Sequence, residues 1–175
     1  MRLKDADDDA IRRATDILRP IVQGAGAAFI LNDRPDLALE AGADGVHLGQ
    51  DDAPPALARR LLGPAAIVGR STHQPPELDA AQAEPVDYLS VGPVNATPTK
   101  PGRPGTGLGY LEYATKTAVR PWFVTGGVTP DTLPGMLAAG ARRFVVVRFL
   151  TEAPDPERMA RALRRVIDQV AVQVD

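Results

Sequence analysis

The feature that most limits how this chain can fold is its repetition. Short apolar runs recur along it, each closed by polar residues or glycine and each followed by a segment of helical spacing. Ala27–Leu31, Gly45–Leu48, Ala66–Gly69, Asp87–Val91, Trp122–Thr125 and Phe144–Val147 read as strands. Met1–Lys4 reads as the end of a further strand, with Arg2 and Lys4 on one face and Leu3 on the other. Strands that are apolar nearly throughout are buried on both faces. Alternation with helices makes them parallel, because parallel neighbours need a crossover.

The helical segments carry their own start and stop signals. Asp5–Asp9 is an acidic run suited to a helix N-terminus, followed by Ile11, Ala14, Leu18 and Ile21 at helical spacing, and Pro20 should kink or end that helix. Helices follow over Leu37–Ala41, Pro54–Leu62, Pro75–Ala83 and Leu108–Ala118. Another is capped by Thr129 with Pro130 at its first position and runs to Gly140. The last opens at Asp155-Pro156-Glu157 and puts Met159, Leu163, Val166, Ile167 and Val170 on one face. An open doubly wound sheet would gather its site at one switch point, whereas a (β/α)8 barrel gathers it at every strand's C-terminal end. Polar residues follow almost every strand here: Asn32-Asp33, Gly49-Gln50-Asp51-Asp52, Arg70-Ser71-Thr72-His73, Gly126-Gly127-Val128-Thr129 and Arg148. The barrel is the expected architecture, in a single domain over residues 1–175.

One stretch breaks the alternation. Gly92–Gly107 has no apolar periodicity and is long for a loop in a compact domain. Thr97 and Thr99 bring hydroxyls and Lys100 an ammonium, while Gly102, Gly105 and Gly107 let backbone N–H groups come close to a ligand. These are the parts of a phosphate or pyrophosphate clamp. The plainer alternative is a surface loop of a proline-rich chain. Composition adds one hint: of 20 basic side chains only Lys4, Lys100 and Lys116 are lysine, so arginine is the default cation. Lysine at two candidate positions suggests that a compact point charge is wanted there.

Other residues fit the same chemistry. Asp33 and Asp52 follow consecutive strands, and two hard oxygen ligands beside a phosphate clamp suit Mg2+. Each could instead be a helix cap before Pro35 or Pro54-Pro55. Arg2 and Lys4 suit pyrophosphate oxygens, or simply tip an edge strand with charge. Gly126-Gly127 before a helix resembles an anion site. His47, between Val46 and Leu48, reads as a core histidine, and His73 as a loop residue. With no cysteine and two histidines there are no disulfides, no thiolate nucleophile and no zinc spacing. A net charge of −2, with no polybasic run and no apolar run near membrane-spanning length, argues against nucleic acid or membrane as partners.

Taken together, Asn32-Asp33, the run Ala43-Asp44-Gly45-Val46-His47-Leu48-Gly49-Gln50-Asp51-Asp52, Gly92-Pro93, Thr97-Pro98-Thr99-Lys100 and Gly126-Gly127-Val128-Thr129 resemble the thiamine-phosphate synthase (thiamine-phosphate pyrophosphorylase) family. The resemblance runs from residue 2 to about residue 156. It implies a (β/α)8 TIM-type barrel in the cytoplasm. The implied reaction joins 4-amino-5-hydroxymethyl-2-methylpyrimidine pyrophosphate to 4-methyl-5-(2-phosphoethyl)thiazole, giving thiamine phosphate and pyrophosphate. It implies small-molecule substrates, Mg2+ on Asp33 and Asp52, and pyrophosphate contacts from Arg2, Lys4, Asn32 and Lys100. Of these, Lys100, Arg2 and Lys4 would be the catalytic cations. It implies further that Ser71 lies near the pyrimidine, that Gln50 lines the site, and that Thr97, Thr99, Gly127 and the Val147-Arg148 backbone bind the thiazole phosphate. Two departures stand out. A glutamine usual two residues before Arg2 has no counterpart, and Arg148 stands where a small residue is usual.

Three further expectations follow. The barrel lacks its first strand and first helix, so the native product would begin roughly 30 residues upstream, about one βα unit. A thiazole tautomerase-like paralogue is the alternative activity, although it should not need Asp33, Asp52 and the Thr-Pro-Thr-Lys run. An inactive ligand-binding remnant is the non-enzymatic alternative. A homo-oligomer is left open.

Overall fold

The computed structural model describes residues 1–96 and 104–171, with side chains through Gln169. Thr97, Thr99, Lys100 and the side chain of Val170 lie outside the described residues. In chain order the elements are α1 (Asp8–Gly24), β1 (Ile30–Asn32), α2 (Pro35–Glu40), β2 (Gly45–Leu48), α3 (Pro55–Leu62), β3 (Ile67–Thr72), α4 (Pro75–Gln82), β4 (Tyr88–Val91), α5 (Leu108–Thr117), β5 (Trp122–Val124), α6 (Leu133–Ala138), α7 (Arg148–Thr151) and α8 (Pro156–Ala171). They fall into two compact units. One comprises Met1–Ser71 with Ala81–Leu89; the other comprises Thr72–Ala80 with the described residues from Ser90 onward.

In the first unit β1, β2, β3 and the start of β4 lie side by side in chain order. The pairing is parallel, with Leu31 beside Val46 and Val46 beside Val68, and with Asn32 beside His47 and His47 beside Gly69. Alternate residues of a strand face opposite ways. The first of these rows is therefore wholly apolar and buried, and the second is polar. Leu37, Ala38, Leu48, Ala58, Val86 and Leu89 complete the core. At the N-terminal end of these strands Arg59 acts as a clasp. Its guanidinium donates to the carbonyls of Pro64 (3.2 Å), Ala66 (2.5 Å) and Pro85 (3.2 Å) and to the Asp87 carboxylate (2.7 Å). The same Asp87 oxygen accepts the Val68 amide at 2.7 Å.

In the second unit the end of β4 lies beside β5. Thr125 N–H donates to Val91 O at 3.0 Å, and Val145 N–H to Val124 O at 2.8 Å. Its core is Leu78, Val91, Leu111, Ala114, Val124, Leu133, Met136 and Ala141. In α8, Leu163 is buried and Met159, Val166 and Ile167 are half-buried, so the described part of the expected apolar face is real.

Several sequence expectations change. Met1–Lys4 is not a strand: Met1 alone exchanges backbone bonds with β1, and the chain then turns at residues 4–6 toward the Asp7 cap of α1. Arg2 and Lys4 therefore share no strand face. Phe144–Val147 is reduced to a single bridge between Val124 and Phe144, after which α7 begins. Pro20 does not end α1, which continues to Gly24. The proline is exposed, where solvent can satisfy the carbonyl it leaves without a partner. On α1 it is Ile11 and Thr15 that are buried, while Leu18 and Ile21 are exposed together with Ile17. Regular α6 starts at Leu133, and the Thr129 hydroxyl accepts the Thr132 amide in the turn before it. Strand β3 runs on through Thr72, so Arg70, Ser71 and Thr72 are part of it.

Arg59→Lys should destabilise the chain by about 1–2 kcal/mol, because an ammonium cannot span the fork's acceptors. Arg60→Lys, on an exposed position of α3, should change nothing measurable. Chemical unfolding of the two variants checks this, and equal midpoints would show that the clasp is ornamental.

Candidate active site

In the first unit, Asn32 closes β1 and Asp33 follows it in a left-handed backbone conformation, φ +67°. Aspartate is among the few side chains that tolerate this region. The conformation is held by the Asp33 amide, which donates to His47 O at 2.8 Å, and by the Asn32 side-chain amide on the Asp33 carboxylate. After β2 the chain turns at Gly49, and the Gly49 amide donates to Asp52 Oδ2 at 2.6 Å. The buried Arg70 guanidinium braces this turn with a bond to Gly49 O at 2.7 Å, and is itself paired with Glu84 at 3.3 Å.

The two turns bring Asp33 and Asp52 together. Burial, and then the hydrogen-bonded and charged Asp52, push the Asp33 carboxyl above its ordinary value; Lys4 and Asn32 pull the other way. A carboxylate that raises its neighbour's cost of ionisation is offset by a cation, and two such oxygen donors have the chemistry of a divalent-cation site. Among the described residues no group of three or more histidine, cysteine, aspartate or glutamate side chains gathers, so a cation here would rest on this pair and on oxygens supplied by ligand or water. Lys4 acts electrostatically on Asp33, while Arg2 is exposed and makes no part of this cluster that the structure records.

Gln50 and Ser71 are also joined, Gln50 Nε2 donating to Ser71 O at 2.6 Å. The Ser71 hydroxyl lies 2.8 Å from His47 Nε2, and His47 Nδ1 lies 2.9 Å from the Tyr88 hydroxyl. The two rings stack at 5.5 Å. Read from sequence, His47 was a core histidine and Tyr88 carried no role. Strand spacing alone could have shown only that His47 sits two residues before Gly49.

In the second unit the described ends of the long loop are tied to each other and to Thr125, just after β5. Val94 N–H donates to Thr125 O (2.8 Å), Thr106 N–H to Pro93 O (2.8 Å) and Gly107 N–H to Val94 O (3.0 Å). Gly126 and Gly127 both adopt positive φ, +96° and +68°. A side chain at Gly126 would strike Pro93, and one at Gly127 would press on Asn95. Asn95 donates to Gly126 O at 3.4 Å, and the Thr132 hydroxyl donates to Gly127 O at 2.7 Å. Sequence reading gave neither Asn95 nor Thr132 a role. Val147 precedes α7, and the exposed Arg148 guanidinium is held by Glu152 at 2.7 and 3.0 Å. His73 pairs with Glu77 at 2.8 Å at the start of α4.

The acidic pair makes a test without substrate. A carboxyl whose folded value is raised favours folding fully below the ordinary carboxylate range, and that contribution is lost as pH rises through the raised value. Asp33→Asn keeps the backbone conformation and removes the charge. In chelator-treated buffer at neutral pH it should be as stable as the parent or more so, by less than about 1 kcal/mol given solvent screening. Near pH 3 the two should coincide. A variant equally destabilised at both pH values would show that Asp33 is a simple structural cap.

A family profile described as thiamine monophosphate synthase matches residues 1–150. The thiamine-phosphate synthase of Thermus thermophilus is 56% identical over 147 residues, covering 83% of this chain and 70% of that protein. The thiamine-phosphate synthase of a Mycobacterium species is 51% identical over 152 residues, covering 86% of this chain and 67% of that protein. The solved thiamine phosphate pyrophosphorylase of Pyrococcus furiosus superposes with a TM-score of 0.87 at 29% identity, over 97% of this chain and 82% of that one. That likeness gives the fold class, an α/β fold of the TIM-barrel-like kind, and no helix among the described residues is long and apolar enough to cross a membrane. By profile, identity and fold, the chain belongs to the thiamine monophosphate synthase family.

Proposed function

We propose that this chain is a transferase that forms thiamine phosphate from 4-amino-5-hydroxymethyl-2-methylpyrimidine pyrophosphate and 4-methyl-5-(2-phosphoethyl)thiazole, releasing pyrophosphate, in the cytoplasm. The observation that carries the reading is the paired Asp33 and Asp52 carboxylates at the ends of neighbouring strands, in a chain of this family. Asp33 and Asp52 would hold Mg2+. When bound, the ion would supply positive charge against the leaving pyrophosphate.

The reaction breaks the bond between the pyrimidine methylene carbon and the pyrophosphate oxygen, and the electron pair leaves with pyrophosphate. The thiazole nitrogen then captures the methylene carbon. No strong base or nucleophile is needed from the protein. What matters is charge neutralisation on the leaving group and alignment of two substrates. Lys4, whose charge reaches Asp33, and Asn32, bound to Asp33, suit the leaving group, and Arg2 and Lys100 are proposed to join them. Gln50 and Ser71 would face the pyrimidine. In the other unit, the positive-φ Gly126-Gly127 turn leaves backbone open to a phosphate, which supports Gly127 as a thiazole-phosphate contact with Thr97, Thr99 and the Val147-Arg148 backbone. The Arg148 guanidinium, engaged by Glu152, is left out of that role.

The direct test supplies both substrates with Mg2+ and measures thiamine phosphate and pyrophosphate in equal amounts. Product of neither kind would leave only a ligand-binding remnant. Conversion of a thiazole tautomer without consumption of the pyrimidine would favour the isomerase. Asp33→Asn and Asp52→Asn should each cut kcat far more than they raise the KM for thiazole phosphate. Lys100→Ala should remove about 2–4 kcal/mol of transition-state stabilisation, as loss of one preorganised donor does. Lys116→Ala, on an exposed position of α5, should be silent; equal losses at the two lysines would refute the assignment.

A further inference from the structure

The polar row of the first unit contains more order than metal or phosphate binding needs. Asn32, His47 and Gly69 are neighbours across three strands. At the third position a side chain is excluded: a Cβ on Gly69 would lie 2.1 Å from Tyr88 Cζ. The missing side chain makes room for the Tyr88 ring, which stacks on His47 and brings its hydroxyl to Nδ1. On the other side of the imidazole is Ser71, two residues beyond Gly69 on the same face of β3.

A neutral imidazole has one donor nitrogen and one acceptor, so whatever fixes one nitrogen fixes the other. Burial pushes the Tyr88 phenol up to about 12, so it keeps its proton at neutral pH and has it to donate. His47 Nδ1, 2.9 Å away, is placed to take it. With that bond made, His47 Nε2 would carry the hydrogen and donate to Ser71 Oγ, which lies 2.8 Å away. A hydroxyl that accepts from histidine has its own proton left to give to a third group.

We propose that His47 is a positioning residue: held in one tautomer by Tyr88, it turns the Ser71 hydroxyl into a dedicated donor toward a hydrogen-bond acceptor of the bound substrate. The identity of that acceptor, a ring nitrogen of the pyrimidine, rests on the function proposed above; the tautomer does not. Such a donor favours a ring nitrogen over an exocyclic amine at that point, because the amine would oppose donor to donor.

The two histidines of the chain make the test direct. In the full chain carrying His73→Gln, labelled with nitrogen-15 at neutral pH and free of substrate, His47 should show a bare Nδ1 and a protonated Nε2. Tyr88→Phe should shift or mix that tautomer, and should Tyr88→Phe not fold, Ser71→Ala must still move the Nε2 resonance. In turnover, Tyr88→Phe and Ser71→Ala should each raise the KM for the pyrimidine pyrophosphate about tenfold, the worth of one lost hydrogen bond, with the KM for thiazole phosphate unchanged. The double variant should be no worse than Ser71→Ala alone, because the two act through one contact. A protonated Nδ1 in the parent, or additive losses that shift both KM values, would overturn the proposal. The tautomer is read without turnover, so a parent that makes no thiamine phosphate would refute the proposed function while the tautomer still decided the role of His47.

Discussion

The parallel register that sets Asn32 beside His47 and His47 beside Gly69 is the constraint on which the first unit's chemistry depends. A slip of one residue would turn this row into the apolar core and bring Leu31, Val46 and Val68 to the polar side. The same register carries the Asp33 amide to His47 O, which holds the left-handed turn and aims the Asp33 carboxylate at Asp52. It also places Ser71 and Tyr88 on either side of the imidazole. The acidic pair, Ser71 and His47, to which the proposed cation and pyrimidine roles fall, are thus placed by one pairing pattern, fixed by burial of three aliphatic side chains.

That arrangement is held against electrostatic resistance. Asp33 and Asp52 are like charges brought together in a partly buried setting, and the fold offsets this only in part with Lys4, Asn32 and the Gly49 amide. Buried Arg70 fastens the Gly49 turn from behind, which keeps Asp52 from swinging away. Acids held together at such a cost concentrate at functional sites, which is why the pair carries the proposed cation role.

The second unit is built by other means. Its described loop ends are laced to one another and to Thr125 through backbone bonds, and the Gly126-Gly127 turn is shaped by what side chains would strike. Such a surface offers amides and shape, which suits a phosphate group. Arg148 shows how easily a cation is lost to a nearer partner: Glu152 lies one helical turn away and engages the guanidinium.

The strand–helix order, the parallel sheet and most helix boundaries to within a few residues were legible in the sequence, because apolar periodicity, caps and glycine stops are local signals. It marked Asn32, Asp33, Gln50 and Asp52 as strand-end residues or their neighbours, whereas Ser71, read as lying beyond its strand, is inside β3. It overstated Met1–Lys4 and Phe144–Val147, since a run of suitable residues becomes a strand only where a neighbour offers a full ladder. It took the tertiary structure to show that His47 joins Ser71 to Tyr88, that half-buried Arg59 and buried Arg70 are braces, and that Asn95 and Thr132 hold the glycine turn. Those contacts join residues distant in the chain or depend on turn geometry, and no period in the sequence records which side chains meet when strands pair and loops close.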